Sequence, residues 1–595
     1  MSNDTVTADH WGLAPFKTHP LDESHFLLLR VSDGSSAVLD VAWEAVLGDL
    51  AVFRTLAEHT ETITATIPAL QGNASAVEAL LAQLVEKGLF QGVRQLAADT
   101  RRAAGTPQRT PGPLRIFIIT CDRPEALKRL LDSLVANEER FGNRWRFEVI
   151  DDSRSAQAQQ QNSVLVREAG QWLDIEYLGP AEQRRFLDGL FRELPEAREA
   201  RWLLERDAGE TEPTYGLPMN LALLRHAGRH LLMIDDDAVI RAAQLPDGSQ
   251  TPRFDQHQQV EIFFTMKEAR AALQPYEQDP FTAHAAALGQ LVSALVANAG
   301  GAEPESSFID EKISKLASFN PQRSRVRYTL NGLLGDTGTH NDLMVFAPKH
   351  LKAHTAIFGS DARYRRLKAS DRIIYRGSPW PSLYNSGWLH QVTCVGVDGS
   401  GFVAPVYPAG RGADTCLGLM LRFLYPDCYG LLLPFTLEHW AVGKRAWRFD
   451  PGIYTFNPSV NGMLLSFINS LGISTHLQPA RKMAAFAEAL RERLHAGNPR
   501  HTLQAHAKMT HMSILARAFR GLATALEILD DPSPLWQQDI ELLQEEIIRQ
   551  LGDPPAMSAE HEERVRRGLL RYANAIDGWN TLFEYRKANH SEGSY

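Results

Sequence analysis

The chain has 595 residues, of which 44% are hydrophobic and 22% are charged, and its formal net charge is −9 with a pI near 6.1. At roughly 100 to 200 residues per domain, this length predicts three or four domains and excludes a single small binding module. The composition excludes disordered, collagen-like and coiled-coil proteins, and the scattered basic residues disfavour a nucleic-acid binder.

The first residues of the chain, MSNDTVTADHWGL, lack the basic and apolar regions of a signal peptide. No stretch of the sequence approaches the ~18 uninterrupted apolar residues of a membrane span. The four cysteines form no CxxC pair, which disfavours a structural zinc site and a disulfide framework. We therefore expect a protein of the reducing cytoplasm without a membrane span.

The first module begins with two short apolar runs, Phe26 to Val31 and Ala37 to Val41, on either side of the turn SDGSS. This pattern predicts a β-hairpin. Apolar residues then recur at helical spacing between Val46 and Ala57 and again between Val77 and Val85, and Gly88 predicts the end of the second helix.

Residues 20 to 95 resemble the winged-helix domain of PqqD-like peptide-recognition elements in their order of elements and in the ending LVEKGLF. In that family the leader of a ribosomally made peptide adds a strand to the hairpin edge. The resemblance implies that residues 1–97 hold a peptide or protein acceptor. The alternative is a small accessory or dimerisation domain.

Residues 98–113, ADTRRAAGTPQRTPGP, are predicted to be a linker because small, basic, Gly and Pro residues replace the apolar periodicity. The apolar run Arg115 to Thr120 after it predicts a strand that is buried on both faces. Asp122 is the expected N-cap of a following helix, with Pro124 in its first turn. Trp145 to Ser153 and His230 to Asp237 predict two further strands.

Each of these three predicted strands ends in polar or acidic side chains: Thr120 and Asp122, then Asp151 and Asp152, then Asp235, Asp236 and Asp237. In an open α/β sheet, ligands bind in the crevice beyond the carboxyl ends of the strands. Two carboxylates separated by one residue can hold a hard divalent cation that neutralises a diphosphate. Acidic runs at strand ends also occur in solvated loops, which is the alternative interpretation.

The segments IFIITCDRPEALKRLLDSL, FEVIDDSR and GLPMNLALLRHAGRHLLMIDDDAVI look like the nucleotide-sugar half of family 2 and related glycosyltransferases of GT-A fold. The resemblance implies an open, mostly parallel sheet flanked by helices. It also implies a pocket for a nucleotide-diphosphate sugar, with a UDP-sugar favoured, and Mn²⁺ or Mg²⁺ held by a DxD motif. The implied metal ligands are Asp235 and Asp237, and the implied nucleotide-sugar residues are Thr120, Asp122, Arg123, Asp151, Asp152, Asn220 and Asp236.

The acceptor half is expected to follow an insertion at residues 245–330. Its segment Pro405 to Leu421 is similar to the acceptor-side segment of these enzymes, in which a GRGED-type sequence supplies a catalytic acid pair. This chain has Ala413 in place of the first acidic residue, so Asp414 is the first choice for the catalytic base and Asp336 the second. Both are turn residues in the alternative interpretation.

His439 follows an apolar run, and metal-dependent GT-A enzymes often draw a third ligand from such a downstream histidine; a structural role is the alternative. Arg411 and Arg445 are candidates for neutralising the diphosphate. The aromatic stretch from Arg376 to Trp388 predicts either a stacking platform for sugar or a packed loop.

From residue 446 onward, apolar residues at helical intervals predict an all-α domain. The chain is thus divided into a winged-helix-like α+β domain (1–97), a linker (98–113), a GT-A domain (114–445) and a helical domain (446–595). Within the GT-A domain, residues 114–240 form the nucleotide-sugar half and residues 331–445 the acceptor half.

The sequence therefore predicts a divalent-metal-dependent glycosyltransferase that acts on a hydroxyl or another nucleophile of its acceptor. The acceptor is a ribosomally made peptide or protein if the first module binds it, and otherwise a polysaccharide or lipid-linked glycan. A non-catalytic nucleotide-binding scaffold is the alternative outside enzymes, since Ala413 departs from the motif. A DNA-binding winged-helix regulator is disfavoured by the acidic charge.

Overall fold

The computed structural model describes most of the chain. The described residues are 9–14, 16–30, 34–106, 114–207, 212–246, 248–254, 259–298, 304–309, 313–316, 318–336, 355, 357–369, 373–387, 393–440, 456, 458–471, 477–495 and 499–592.

The N-terminal module combines two small antiparallel sheets with short helices. Strands β2, β3 and β4 pair in that order, and β1 pairs with β5. The elements are β1 (Trp11–Leu13), β2 (Phe16–Pro20), β3 (His25–Arg30), β4 (Ser36–Asp40), α1 (Leu47–Leu50), α2 (Leu56–Thr66), α3 (Ala74–Glu86), β5 (Phe90–Gly92) and α4 (Val93–Ala104).

The predicted hairpin is confirmed as β3 and β4, whereas the helix predicted from Val46 to Ala57 is wrong. Helix α1 covers four residues, and α2 begins only at Leu56. The reason is local, because Thr55 and Glu58 form a reciprocal capping box that starts a new helix at this point. The winged-helix assignment stays a prediction.

The predicted linker is helical in its first part. Helix α4 runs to Ala104, and its apolar residues Val93, Leu96 and Ala97 join the core of the large sheet. Residues 107–113 lie outside the described residues. The N-terminal module is therefore attached to the α/β region by the packed side chains of α4.

The α/β region contains one large mixed sheet flanked by helices. Its elements up to the acidic triplet are β6 (Arg115–Thr120), α5 (Pro124–Phe141), β7 (Arg146–Asp151), α6 (Ala156–Ala169), β8 (Asp174–Leu178), α7 (Pro180–Glu193), α8 (Gly216–Arg225) and β9 (His230–Asp235). The later elements are β10 (Ala238–Gln244), β11 (Gln259–Phe263), α9 (Met266–Ala272), β12 (Gln274–Pro275), α10 (Pro280–Ala287), α11 (Val292–Ala297), β13 (Val326–Gly335), α12 (Asp361–Ala369), β14 (Ile373–Gly377), β15 (Ser382–Tyr384), β16 (Cys394–Asp398), α13 (Ala413–Leu424) and β17 (Tyr429–His439).

The main path of the sheet runs β12-β10-β17-β13-β16-β9-β6-β7-β8. The pairs β9–β6, β6–β7 and β7–β8 are parallel, as expected for the nucleotide-sugar half. In the rest of the sheet, β13–β17 is parallel, while β16 and β10 run antiparallel to their neighbours. The α/β class is confirmed, and the carboxyl ends of β6, β7 and β9 lie at one edge, where the candidate site begins.

The predicted division at residue 331 falls inside strand β13, which is central in the sheet and almost wholly buried. The segment expected to be an insertion, 245–330, therefore contributes part of the sheet as well as helices α10 and α11. The division at residue 446 lies outside the described residues.

The C-terminal region is helical, as the apolar periodicity predicts, but it does not pack as a separate bundle. Helix α18 shares one hydrophobic core with α8 and α13, and α16 and α17 share another with α12 and β14. The helices are α14 (Val460–Ser470), α15 (Pro479–His495), α16 (Pro499–Ile528), α17 (Pro534–Gly552) and α18 (Ala559–Glu592). The described helices include none with the length and hydrophobicity needed to cross a membrane.

Candidate active site

A cavity of about 620 Å³ opens at the carboxyl ends of β6, β7 and β9, and we call it the donor cavity. Its wall includes residues from the three predicted strand ends and from the segment that precedes α13. The sequence-predicted residues that line it are Thr120, Asp122, Arg123, Asp152, Asp235, Arg411 and Asp414. The fold thus brings together seven candidate residues that are spread over nearly 300 positions.

The turn after β6 is held by Asp122, which has a left-handed backbone with φ 53°. Its carboxylate accepts hydrogen bonds from the backbone N–H groups of Arg154 (3.0 Å) and Ser155 (2.9 Å). The predicted N-cap role is wrong, because Arg123 occupies the cap of α5. Asp122 instead joins the loops after β6 and β7, and so fixes one wall of the donor cavity.

Asp152, which follows β7, faces the donor cavity with an arginine beside it. Arg206 Nη2 lies 2.6 Å from Asp152 Oδ2, and the Thr214 hydroxyl donates a short hydrogen bond to the same oxygen. Burial raises the pKa of Asp152, while the contacts from Thr214 and Arg206 oppose that rise. The carboxyl can accept hydrogen bonds from a base or ribose, as acidic residues do in other open-sheet nucleotide sites.

The acidic triplet after β9 divides into one carboxyl that faces the cavity and two that are buried against Arg123. The Arg123 guanidinium lies 2.6 Å from Asp236 Oδ1 and 2.8 Å from Asp237 Oδ2. Asp236 also accepts a 2.7 Å hydrogen bond from the Thr120 hydroxyl and is fully buried. Thr120, Arg123 and Asp236 therefore form an internal network that fixes the triplet.

Asp235 is accessible to solvent through the donor cavity but lies deep among protein atoms. This desolvation, together with the negative charge of Asp237, raises the pKa of Asp235 to about 8. Burial alone would also raise the pKa of Asp237, but the contacts with His439 and Arg123 outweigh it and lower that pKa to about 2. Without a bound cation, Asp235 therefore holds a proton more readily than an ordinary carboxyl, while Asp237 carries a negative charge that His439 and Arg123 offset.

His439, at the end of β17, lies beside Asp237, with 3.1 Å between His439 Nε2 and Asp237 Oδ1. Burial would lower the pKa of His439, but Asp237 and Asp235 together raise it. The sequence placed this histidine some 200 residues from the triplet, and the antiparallel pairing of β10 with β17 brings Ala238 opposite His439.

The donor chemistry of Asp235, Asp237 and His439 suits a divalent cation such as Mn²⁺, which takes carboxylate oxygens and imidazole nitrogen. Asp237 Oδ1 is buried, and no donor among the described residues is aligned to form a hydrogen bond with it. The described residues contain no preassembled cluster of three or more metal-ligating side chains. Asp235, Asp237 and His439 therefore carry the atom types that bind a divalent cation. In this structure, Asp237 forms ion pairs with Arg123 and His439 instead.

Among the predicted nucleotide-sugar residues, Asp151 and Asn220, like Asp236, do not line the donor cavity. Asp151 is fully buried and accepts hydrogen bonds from Ser153 N (2.9 Å), Asn162 Nδ2 (3.0 Å) and the Tyr177 hydroxyl (2.7 Å). Because successive strand residues face opposite sides, Asp151 points away from the cavity that Asp152 lines. Its contacts are those of a structural residue.

Asn220 is the second of these residues, and it is buried in α8. Its amide nitrogen donates to the carbonyl oxygens of Leu203 and Val406, each at 2.9 Å, and its oxygen accepts from Val406 N at 2.8 Å. Gly216, at the start of the same helix, lies so close to the segment that an added Cβ would be 2.3 Å from the Tyr407 carbonyl oxygen. Helix α8 therefore fixes the segment that leads to Asp414.

Helix α18 holds the same segment from the other side. The Tyr572 hydroxyl donates to the Pro405 carbonyl at 2.6 Å, and Trp579 Nε1 donates to the Val403 carbonyl at 2.9 Å. The sequence contains no motif for this role. The C-terminal helical region is thus part of the scaffold that positions the acceptor-side wall of the cavity.

Asp414 lies in the first turn of α13, after Gly412, which adopts a left-handed backbone with φ 95°. Its side chain lines the donor cavity, and Oδ1 accepts a 2.8 Å hydrogen bond from Thr415 N. Ala413 has little solvent exposure, but it also lines the donor cavity, so the position without an acidic residue adjoins Asp414 in the cavity wall. Arg411 lines the cavity near the Tyr215 ring.

Asp336 follows β13 and does not line the donor cavity among the described residues. Its backbone contacts the His439 ring, so Asp336 lies beside one of the candidate metal ligands. Arg445 and Trp388 lie outside the described residues, and so do residues 337–354, which follow Asp336.

Sequence reasoning missed Arg206, Thr214 and Tyr215, which line the donor cavity between α7 and α8. These residues occur in a polar stretch without apolar periodicity. Asp152, which contacts Arg206 and Thr214, was the only residue of this wall that a sequence pattern indicated.

No protein-family model matches the chain, and no curated protein matches it in sequence. Among solved structures, it is similar to the mannosyltransferase PcManGT from Pyrobaculum calidifontis in complex with GDP-Man and Mn²⁺, at 10% identity and a TM-score of 0.28, over 78% of this chain and 94% of that chain. It is also similar to S. aureus TarS 1-349, at 12% identity and a TM-score of 0.24, over 81% of this chain and 92% of that chain. TM-scores this low assign neither a fold nor an activity.

Proposed function

We propose that the chain is a divalent-metal-dependent glycosyltransferase that uses a nucleotide-diphosphate sugar. The observation that supports it is the donor cavity, where Asp152, Asp235, Arg411 and Asp414 meet at the carboxyl ends of parallel strands. This is the edge at which open α/β sheets bind nucleotides. The same residues carry the sequence resemblance to family 2 glycosyltransferases.

In this proposal, Asp152 accepts hydrogen bonds from the base or ribose, and Arg206 and Thr214 hold its carboxylate in place. Asp235 and Asp237, with His439, hold Mn²⁺ or Mg²⁺, which neutralises charge on the departing diphosphate when bound. Arg411 adds positive charge on the opposite wall. Arg123 and Asp236 keep the acidic turn rigid, and Asp236 is buried behind the cavity wall.

The acceptor enters on the Asp414 side of the cavity. Asp414 takes the proton of the acceptor hydroxyl while the hydroxyl oxygen forms a bond to the anomeric carbon. The bond from that carbon to the diphosphate oxygen breaks, and the nucleoside diphosphate leaves with its electron pair. Asp414 is favoured over Asp336 as the base because it lines the donor cavity.

Calorimetric titration of UDP, GDP and their sugars, with and without Mn²⁺, tests this function. We expect metal-dependent binding to the wild-type chain and a loss of at least about tenfold in affinity in Asp235→Ala and Asp237→Ala variants. Asp174→Ala, which removes an exposed carboxylate at the start of β8, is the matched control. Metal-independent or absent nucleotide binding would contradict the proposal.

A scaffold without activity is distinguished by a second measurement. Wild-type chain that binds the donor should slowly hydrolyse it to the nucleoside diphosphate even without an acceptor, and Asp414→Asn should lower that rate. Tight, metal-dependent binding with no release of nucleoside diphosphate under any acceptor tested would instead favour the non-catalytic scaffold.

A peptide or protein acceptor held by residues 1–97 is the more specific form of the proposal, and strand β4 supports it. In the described residues β4 pairs with β3 on one side only, and Val38 on its outer face is 56% exposed. Such an edge can accept an added strand. A polysaccharide or lipid-linked glycan is the alternative acceptor.

The test is fluorescence anisotropy of a labelled precursor peptide encoded by a neighbouring gene. We expect the full chain to bind it and Val38→Lys to weaken that binding. Leu21→Lys, an equally exposed position outside β4, is the control. Equal binding by all three chains, or no binding of any leader, would leave residues 1–97 as an accessory domain.

A further inference from the structure

A second and larger cavity, of about 910 Å³, lies between α5, β10 and the α9–β12 segment, and we call it the arginine cavity. Four arginines from three elements line it: Arg129, Arg140, Arg241 and Arg270. None of them was singled out by the sequence, because they are separated by up to 141 positions and belong to no motif. The fold alone collects them.

The charges of these arginines are only partly offset. Arg270 makes a bidentate pair with Glu438, with both distances 2.8 Å, and Arg241 approaches the same carboxylate at 3.3 Å and 3.4 Å. One carboxylate therefore faces two guanidinium groups. The Arg241 side chain remains 57% exposed, so its outer face is available to a ligand.

Arg129 and Arg140 complete the arrangement on α5. Arg140 pairs with Glu277 at 2.6 Å, whereas the described contact of Arg129 Nη2 is with the neutral Trp440 carbonyl at 3.3 Å. Arg129 Nε is buried, and it has no hydrogen-bond partner among the described residues. Asp132 also lines this wall, but it pairs with Lys128 at 2.7 Å. The described wall thus keeps an excess of positive charge at Arg129 and in the group of Arg241, Arg270 and Glu438.

The arginine cavity is distinct from the donor cavity, although both adjoin the end of β17. Successive residues of a strand face opposite sides, so Glu438 faces the arginines while His439 faces Asp237. The remainder of the wall is largely apolar, with Val239, Leu273 and the Trp440 ring. Positive charge beside apolar surface suits an anion attached to an organic body.

We propose that the arginine cavity binds an organic phosphate ester, with its phosphate placed between Arg129 and Arg241 and its organic part against the apolar wall. Guanidinium groups bind phosphate through paired, charge-assisted hydrogen bonds. The volume exceeds that of a phosphate alone and accommodates a ligand of sugar size or larger. This inference does not depend on the proposed transfer reaction.

The test is calorimetric titration of the full chain, free of divalent metal, with inorganic phosphate and with glucose 1-phosphate as probes. We expect both to bind and glucose 1-phosphate to bind more tightly. Arg129→Gln and Arg241→Gln should each weaken binding by about tenfold, the size of a lost charge-assisted hydrogen bond. Two variants are used so that a folding defect in one does not decide the result.

Two controls separate this cavity from other positive surfaces. Arg185→Gln removes an exposed arginine that pairs with Glu182 on α7, and Arg411→Gln removes an arginine of the donor cavity. Both should leave phosphate binding unchanged. The proposal is overturned if neither probe binds, if Arg129→Gln and Arg241→Gln bind normally, or if Arg411→Gln abolishes binding. Equal affinities for the two probes would refute the organic part of the assignment.

Discussion

The contacts of Asn220 predict that it acts as a clamp and not as a ligand. An Asn220→Ala substitution removes three buried hydrogen bonds, of 2.8 Å to 2.9 Å, that join α8 to Leu203 and Val406. At about 1 kcal/mol for each bond, the loss is about 3 kcal/mol. This weakens the attachment of residues 403–408, the segment that leads to Asp414.

Hydrogen–deuterium exchange read by mass spectrometry measures the effect locally. A loss of about 3 kcal/mol corresponds to roughly 100-fold faster exchange in a peptide that covers residues 403–408, including the Val406 amide. Asn137→Ala is the matched control, because Asn137 is also buried and bonded, but to Asp279 in a distant part of the fold. It should leave residues 403–408 unchanged.

The reasoning would be refuted if Asn220→Ala left exchange in residues 403–408 at the wild-type rate. It would also be refuted if the variant lost nucleotide affinity without any change in exchange, because that pattern belongs to a direct ligand. The second outcome would restore the role that the family resemblance implies for this residue.

Two further predictions concern titration and reactivity. Burial alone would raise the pKa of Asp398, but His230 and Arg327 outweigh it and hold that pKa well below its ordinary value of 3.8. The folded state therefore gains stability from this carboxylate above about pH 4 and loses it as the pH falls further. Thermal unfolding of Asp398→Asn should show a lower Tm at neutral pH and a flatter decline in acid than the wild type; parallel curves would contradict this. Burial and the charge of Asp152 raise the pKa of Cys121 to about 11, so iodoacetamide should leave this thiol unmodified at neutral pH while labelling it fully after denaturation. Rapid labelling of the native chain, detected by mass spectrometry, would contradict that prediction.

The nucleotide-sugar half was the most predictable part of the fold. The predicted strand Arg115 to Thr120 matches β6 residue for residue, and the strands before the two acidic ends match β7 and β9 within a few positions. Continuous apolar runs and the Pro at the start of α5 are local features of the sequence, so they can be recognised without knowledge of the tertiary structure. The domain divisions were less predictable, because β13 crosses one of them and α4 enters the predicted linker.

The site was predictable in residue type but not in orientation. Asp151 and Asp152 are adjacent in sequence, yet only Asp152 lines the donor cavity, because neighbouring strand residues face opposite sides. Asn220 matched a family motif and is nevertheless occupied by backbone partners. A motif fixes the position of a side chain along the chain, and it does not fix what that side chain contacts.

The sequence by itself determined the α/β class, the three acidic strand ends and the helical C-terminal region, since each depends on periodicity over a few residues. The tertiary structure decided which carboxyls face a cavity and which cations oppose them. Arg123 reaches Asp237 across 114 positions, and Arg206 reaches Asp152 across 54. Such pairs depend on strand order and helix packing, and therefore leave no pattern that can be read along the chain.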